Sequence, residues 1–449
     1  MDFIFLTLVG FTAFVVLVAL ALVYLGTRDT FHPLALATPM LIAMYVFLPL
    51  WLLYSGKLTD FLSSDELQFV QLLNFLGVAC FSLGCLIATW KKGPPADSSA
   101  SLSGRGWIFV PALVLGAIGV ACYSIQIARA GGFREAYGHP YGGGWSEYGY
   151  VRDGVLLCVA AIVFIMLGNG KRKLSPLERL ACLLFAAPSL IQGVLGARRG
   201  PLLMVLSAWA LSWFFKHGRR PRLPTLYLTG LGLGILLLFL VSNRGSIYLG
   251  SDWTFEQSPF AYLEPGSKGG AGSEYVYGAG AILTASETHH FYWGHRYFAI
   301  LFVRPIPRQL WPNKYEAVGV PELELNMGAG TEEFRSVLGW VGAHGSAPGF
   351  IADMWIEFWW FCLLPIFALG WVYGRAWRAA CRKQGLFQVV YVLMTCLLPY
   401  LIFQNLEAML QKFLFMIIPS WLMWQLSEVA RGVVDLGRPA KIELQHNPR

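Results

Sequence analysis

The residues best suited to chemistry are concentrated in one polar stretch, from Arg244 to Gly349, within a chain that is otherwise strongly apolar. This stretch contains half of the histidines and the motif RPIPRQLWPNK at Arg304–Lys314. Two shorter arginine motifs lie before it or at its start, ARRGP at Ala197–Pro201 and SNRGS at Ser242–Ser246. Because an arginine guanidinium can bind a phosphate through two parallel hydrogen bonds, this pattern indicates a site for a phosphate-bearing ligand.

The arginines that could form such a site come from separate parts of the sequence. They are Arg198, Arg199, Arg244, Arg296, Arg304 and Arg308. A plainer interpretation also fits them, in which basic side chains at helix ends lie along a membrane surface and attract anionic lipid headgroups. The residues alone leave both interpretations open.

Acidic and histidine side chains follow the arginine motifs at the end of the polar stretch. Asp353 and Glu357 are four residues apart, which places them on one face of a helix. Carboxylates at membrane depth are costly and are functional candidates by default. His344, just before them, could act as a general base or could cap a turn. Gln404 could complete a polar cavity near the end of a late apolar segment.

Aromatic residues near glycines are candidates for sugar contact. Tyr137, Tyr141 and Trp145 lie in a glycine-rich stretch between two apolar segments, and Tyr275 lies in a second such stretch, 265–280. An interfacial belt of Trp and Tyr is the alternative for the first group. The second stretch lacks the Gly-Lys-Ser/Thr order of a phosphate loop, so we expect a mobile loop with Glu274 and Tyr275 as its notable polar groups.

No motif predicts a metal centre. His290 and His295 match neither a zinc-binding helix motif nor a closed set of ligands. The eight cysteines lie in or beside apolar segments without metal or redox spacing, so we expect no disulfide framework. The net charge of +8 is explained by basic loops at a membrane surface, and we expect no nucleic-acid partner.

Composition defines the elements that must position these residues. The chain has 449 residues, 56% hydrophobic and only 13% charged, with a mean hydropathy of +0.54. A soluble domain carries about a quarter of its residues as charges. The repeated long apolar runs predict an all-α polytopic membrane protein with about 11 spans, since a span needs about 20 apolar residues. The predicted spans are 3–24, 33–54, 69–90, 107–128, 151–167, 180–195, 201–215, 224–241, 350–373, 386–403 and 409–426.

The distribution of basic residues predicts the orientation. Most arginines and lysines of the short loops fall in every second loop, and such loops face the cytoplasm. This places the N-terminus and the long polar loop outside, in the periplasm of a bacterium, and the C-terminus inside. The chain then divides into N-terminal spans (1–243), a large periplasmic loop with short interfacial helices (244–349), C-terminal spans (350–428) and a cytoplasmic tail (429–449).

Four motifs taken together resemble those of the Wzy-type oligosaccharide repeat unit polymerases, also called O-antigen polymerases. They are GGF at 131–133, ARRGP, RPIPRQLWPNK and GSAPGFIADMWIEF at 345–358. The resemblance extends over most of the chain, in the number of spans, the position of the exterior loop and the order of the motifs. It implies a helical, polyprenyl-dependent glycosyltransferase of the GT-C type in the bacterial inner membrane.

The resemblance also implies an activity and a set of roles. Such enzymes transfer a growing glycan from undecaprenyl diphosphate to the terminal sugar hydroxyl of a new lipid-linked unit, without metal, nucleotide or other cofactor. The arginines above would bind the diphosphates, and Arg308 would also stabilise the leaving group. His344 or Glu274 would act as the base. Partners would be the lipid-linked oligosaccharide, membrane lipid, and a chain-length regulator and flippase of the same pathway.

Other functions remain open at this point. A ligase would pass the glycan to a different acceptor, such as lipid A or a protein. A glycolipid flippase or transporter would show paired repeats and charges deep in its spans. The sequence does not determine the sugar, the linkage, the kind of polysaccharide, the stereochemical outcome, the chain length or the oligomeric state.

Overall fold

The computed structural model describes residues 3–90, 109–140, 149–168, 172–196, 198–259, 270–271, 273–320, 331–342, 346–383 and 385–436. Within these residues the protein is almost entirely helical. The first half contains α1 (Phe3–Thr27), α2 (Pro33–Ile42), α3 (Leu48–Tyr54), α4 (Ser64–Trp90), α5 (Phe109–Arg129), α6 (Phe133–Tyr137), α7 (Gly149–Gly154), α8 (Leu157–Gly168), α9 (Pro176–Val194), α10 (Arg199–His217) and α11 (Leu223–Ser242).

The second half begins with the polar stretch. Its elements are β1 (Gly270–Ala271), α12 (Glu274–Thr288), α13 (His295–Phe298), α14 (Lys314–Ala317), α15 (Thr331–Leu338), β2 (Val341–Gly342), α16 (Gly349–Phe358), α17 (Leu363–Lys383), α18 (Leu386–Cys396), α19 (Leu398–Phe403) and α20 (Leu406–Leu436). The two short strands pair in parallel, with Ala271 opposite Gly342.

Ten helical segments of the described residues are long and apolar enough to cross a membrane. They are Phe3–Thr27, Pro33–Tyr54, Ser64–Thr89, Phe109–Arg129, Tyr150–Gly168, Pro176–Val194, Leu223–Ser242, Gly349–Arg382, Leu386–Phe403 and Leu406–Val429. The protein is therefore a multi-pass membrane protein, as the composition predicts.

Helix α10 accounts for the difference between these ten segments and the eleven predicted. It is helical from Arg199 to His217, but its apolar part is shortened by Arg199 at one end and by Lys216 at the other. Nineteen residues of α-helix nevertheless extend about 28 Å. Its first turn lies against Tyr400 and its last turn against Phe31, at opposite ends of the bundle.

The centre of the bundle is α8, in which every residue is buried. It is surrounded by α5, α9, α10, α18 and α20. By contrast, α11 lies at the periphery, where only 11% of its apolar segment is buried. Helices α4 and α17 cross very closely, because a Cβ on Gly84 would lie 2.1 Å from the carbonyl oxygen of Phe367 and one on Gly370 would lie 2.1 Å from that of Phe81. Glycines allow such close contact between membrane helices.

Helix α12 corrects one expectation. The glycine-rich stretch 265–280 was predicted to be a mobile loop, but from Glu274 onward it forms a helix that is buried through Ala285. Its small residues allow close packing against the start of α16, where a Cβ on Gly278 would lie 2.4 Å from the carbonyl oxygen of Pro348. Part of the polar stretch is therefore built into the helical bundle.

The two ends of the bundle differ in their polar contacts. At one end, which we call the Asp29 end, the Asp29 carboxylate accepts hydrogen bonds from Arg220 Nε at 2.8 Å and from Trp377 Nε1 at 3.0 Å. The Arg220 guanidinium also lies over the ring of Phe215, 4.8 Å from its centroid. The opposite end gathers most of the residues that the sequence singles out.

Candidate functional site

A buried ionic network forms around Arg296, on the short helix α13. Its Nη1 lies 3.0 Å from Asp353 Oδ1 and 3.3 Å from Glu357 Oε1, and its Nη2 lies 3.6 Å from Glu407 Oε2. None of the four residues is more than 3% exposed. As their spacing predicts, Asp353 and Glu357 project from one face of α16 onto the same partner.

Further hydrogen bonds fix these carboxylates. Asp353 Oδ2 accepts one from the Tyr297 hydroxyl at 2.6 Å and one from the Leu406 backbone amide at 3.1 Å. Glu357 Oε2 accepts one from the Gly294 backbone amide at 2.8 Å. The network therefore joins α13 and the turn before it to α16 and to the start of α20.

Burial opposes the charge of Arg296, but the three surrounding carboxylates outweigh it and raise its pKa above the ordinary arginine value. Burial and the neighbouring Asp353 likewise raise the pKa of Tyr297 well above its usual range, so its hydroxyl remains a donor. The sequence predicts a diphosphate contact for Arg296. In the structure its guanidinium is enclosed and held by carboxylates, so it organises the surrounding helices.

Arg304 lies at the edge of this network. Its Nη1 is 3.5 Å from Glu407 Oε1, and the side chain is partly accessible. Its backbone carbonyl accepts hydrogen bonds from Lys314 Nζ at 2.8 Å and from the Tyr150 hydroxyl. Lys314 thus closes the turn that carries Arg308, whose exposed guanidinium lies 6.0 Å from the ring centroid of Tyr315.

A second group of arginines surrounds the start of α10. Arg199 forms an ion pair with Glu274, the first residue of α12, so two predicted site residues from distant motifs meet here. The pKa of Arg198 is lowered to about 10, chiefly by burial and also by the positive charges of Arg152 and Arg244, while Tyr137 and Tyr400 oppose the shift. Arginines from ARRGP, SNRGS and α7 are therefore close enough to repel one another, an arrangement that an anion would relieve.

Gly200 holds α10 close to α19. A Cβ at this position would lie 2.1 Å from the Tyr400 hydroxyl oxygen, so only glycine fits without displacement. This close contact seats Arg198 and Arg199 beside the Tyr400 side chain, which is 8% exposed.

Lys412 connects the two groups of cations, and the sequence analysis missed it. Its ammonium nitrogen lies 4.6 Å from the ring centroid of Tyr400, and it interacts electrostatically with Asp153, Arg152, Arg304 and Glu407. We call Arg152, Arg198, Arg199, Arg244, Arg304 and Lys412 the basic cluster. A lysine inside the predicted span 409–426 is the signal that could have identified it.

The remaining predicted residues lie elsewhere or outside the described structure. Tyr137 is buried, and its hydroxyl is 3.1 Å from that of Tyr123. Tyr275 is also buried and donates to Gln71 Oε1 at 3.0 Å, so neither ring offers a free face to a sugar in this structure. Gln404 contributes its backbone carbonyl, which accepts from the Gly349 amide at 2.6 Å. Tyr141, Trp145 and His344 lie outside the described residues.

In the described part of the chain, no three histidine, cysteine or carboxylate side chains are placed to hold a metal ion. The eight cysteines are unpaired thiols. Comparisons of this chain with protein-family models, curated proteins and solved structures find no match. The arrangement of the site therefore carries the functional argument.

Proposed function

We propose that the protein is a membrane glycosyltransferase that polymerises undecaprenyl-diphosphate-linked oligosaccharide repeat units. The observation that carries this proposal is the basic cluster. Cations from α7, α10, the end of α11, the turn after α13 and α20 converge at one end of an apolar helical bundle. A substrate with a polyprenyl tail and a diphosphate matches this combination of an apolar body and a basic end.

The chemistry follows from the leaving group. The acceptor sugar hydroxyl forms a bond to the anomeric carbon of the donor glycan while the bond from that carbon to the phosphate oxygen breaks. Undecaprenyl diphosphate leaves with the electron pair, and the hydroxyl proton passes to a base. Positive side chains placed where the diphosphate charge develops lower the barrier to this step. Arg198, Arg199, Arg244 and Arg304 fill that role in the proposal, with Arg308 at the exposed edge.

Glu274 is the candidate base within the described residues. Its carboxylate is buried beside Arg199, so it would receive the proton next to the bound diphosphate. His344 stays a candidate from the sequence.

The proposed orientation places the basic cluster in the periplasm of a bacterium, in the inner membrane. The Asp29 end carries further arginines on the loops and helix ends beside it: Arg28, Arg219, Arg222, Arg375, Arg378 and Arg382. Basic residues in short loops favour the cytoplasmic side. Because α10 connects the two ends, the basic cluster then faces the periplasm.

Reconstitution of the purified protein tests the activity. The protein in lipid nanodiscs receives one lipid-diphosphate-linked repeat unit, a chelator and no nucleotide, and the product is separated as a glycan ladder. We expect a ladder that is lost in Arg198→Gln and Arg304→Gln. Arg134→Gln is the matched control, because Arg134 is an exposed arginine on α6 outside the cluster.

Other outcomes would identify a different function. Transfer of a single glycan to lipid A or a protein, without a ladder, would identify a ligase. Movement of the lipid-linked unit across a liposome membrane, without a new glycosidic bond, would identify a transporter. A ladder unaffected by both cluster variants would contradict the role of the arginines.

A further inference from the structure

Lys412 is a charged residue within an apolar helix, on the second turn of α20. Its side chain is partly accessible, with the ammonium over the Tyr400 ring. Its one hydrogen bond to a described residue is long, 3.4 Å to the Ala408 carbonyl oxygen of its own helix. A lysine ammonium has three donors, so this contact leaves most of its hydrogen-bonding capacity unused.

The nearby carboxylates are engaged by other residues. Asp153 pairs with Arg152 at 3.6 Å and accepts a hydrogen bond from the Gln411 side chain. Glu407 lies between Arg296 and Arg304. Among the described residues, no carboxylate lies within 4.0 Å of the Lys412 ammonium, although Asp153 and Glu407 both interact with it electrostatically.

The position of Lys412 is central to the basic cluster. The ring of Tyr400 lies beneath the Lys412 ammonium. The hydroxyl of the same tyrosine contacts Gly200, which follows Arg199 in the first turn of α10. Lys412 also interacts electrostatically with Arg304 and Glu407, whose Nη1 and Oε1 atoms lie 3.5 Å apart. The cation–π contact with Tyr400 compensates part of the cost of desolvating the ammonium and fixes its direction, but it supplies no acceptor for the N–H groups.

We infer that Lys412 is a further diphosphate-binding residue of this site and donates to phosphate oxygens between the Arg198 and Arg304 parts of the basic cluster. This assignment rests on the proposed function for the identity of the anion. An ammonium is a compact charge with rotatable donors, so it can contact either phosphate of a diphosphate while the arginines hold the ends.

Binding of farnesyl diphosphate, a short soluble analogue, tests the assignment without requiring turnover. Its affinity for the purified protein in nanodiscs is measured by calorimetry, beside farnesyl monophosphate and farnesol. We expect Lys412→Gln to weaken farnesyl diphosphate binding by about tenfold or more, the effect of losing a charge-assisted hydrogen bond, and to leave farnesol binding unchanged. Lys412→Arg should remain within a few-fold of the natural protein.

Lys57→Gln is the matched control, because Lys57 lies in the turn between α3 and α4, which contributes no residue to the basic cluster. Unfolding temperatures measured without ligand identify any variant that fails to fold. If Lys412→Gln fails to fold, the affinities of Lys412→Arg and Lys412→Met for farnesyl diphosphate are compared instead. If Lys412→Gln binds farnesyl diphosphate as tightly as the natural protein, the assignment is overturned. Absence of diphosphate binding by the natural protein overturns it equally.

The two proposals can fail separately. Binding that depends on Lys412, in a protein that makes no ladder, contradicts the polymerase and supports the diphosphate site. A ladder that depends on Arg304, with Lys412→Gln unchanged in binding and in KM, supports the polymerase and contradicts the role of Lys412.

Discussion

The guanidinium of Arg296 and the carboxylate of Asp353 face each other with Nη1 and Oδ1 3.0 Å apart, and neither side chain is exposed to solvent. A buried carboxylate needs an opposite charge and hydrogen bonds to offset the cost of its desolvation. Here Tyr297 and the Leu406 amide complete the coordination of Asp353. The pair therefore fixes α13, α16 and α20 relative to one another, beside the basic cluster.

Removal of Arg296 should destabilise the protein more than removal of the Asp353 charge. Arg296→Met leaves the carboxylates of Asp353, Glu357 and Glu407 buried without their shared cation. We expect the free energy of unfolding to fall by about 3–5 kcal/mol. Asp353→Asn keeps an acceptor for its donors and should cost about 1–3 kcal/mol. The measurement is the unfolding temperature in detergent. Glu316→Gln, an exposed carboxylate on α14, serves as the control, and equal effects of all three variants would contradict the network's role.

Gly200→Ala should impair activity by displacing α10 from α19. The added methyl group would lie 2.1 Å from the Tyr400 hydroxyl oxygen, so either the start of α10 or the Tyr400 side chain must shift. We expect kcat/KM for the lipid-linked substrate to fall about tenfold or more, since small displacements of binding groups weaken transition-state contacts. Gly230→Ala is the matched control, because no atom lies within 4 Å of a Cβ there. Full activity of Gly200→Ala would show that this contact is not required.

Stability should fall with acid through His32, which caps the start of α2. Its Nδ1 accepts from the Leu34 amide at 3.2 Å, and burial lowers the pKa of His32 to about 3. The folded protein keeps this histidine neutral, whereas the unfolded chain protonates it below about pH 6.5. The stability contributed by neutral His32 is therefore fully present above about pH 6.5 and is lost as the pH falls toward 3.

At pH 5, protonation of His32 in the unfolded chain should lower the free energy of unfolding by about 2 kcal/mol. His32→Asn keeps a side-chain acceptor at the cap and removes the titrating group. Unfolding temperatures measured at pH 8 and pH 5 should therefore differ less in His32→Asn than in the natural protein. Identical differences in the two proteins would exclude His32 as the source.

Cysteine labelling should place the two ends of the bundle on opposite sides of the membrane. In a variant lacking the eight natural cysteines, single cysteines replace Arg219, near the Asp29 end, and Arg308, near the basic cluster. Both positions are exposed. In intact cells, a membrane-impermeant thiol reagent should label Arg308→Cys and should label Arg219→Cys only after the membrane is opened. The reverse pattern would invert the proposed orientation.

Several features follow from local sequence because they depend on neighbouring residues. The apolar runs predict the membrane helices, and the i, i+4 spacing predicts that Asp353 and Glu357 share a face. In helix α10 the charged ends shorten the apolar run, while the helix still extends from Tyr400 to Phe31.

Tertiary structure decided which charges remain accessible. Arg296 and Arg304 are eight residues apart and have the same chemistry, yet Arg296 is enclosed by carboxylates and Arg304 lies at the edge of the network. The burial of α12 also depended on packing, because its glycines allow either a loop or a closely packed helix.

The sequence alone determined a polytopic helical membrane protein with arginine motifs beside a long polar stretch, because hydropathy and charge are properties of consecutive residues. Only the folded chain brought Lys412, Tyr400 and Arg198 together, since Lys412 and Tyr400 lie on separate helices, Arg198 precedes a third, and their meeting depends on close packing at Gly200. Long-range contacts of this kind arise from the shape of side chains that are distant in sequence, which no local pattern encodes.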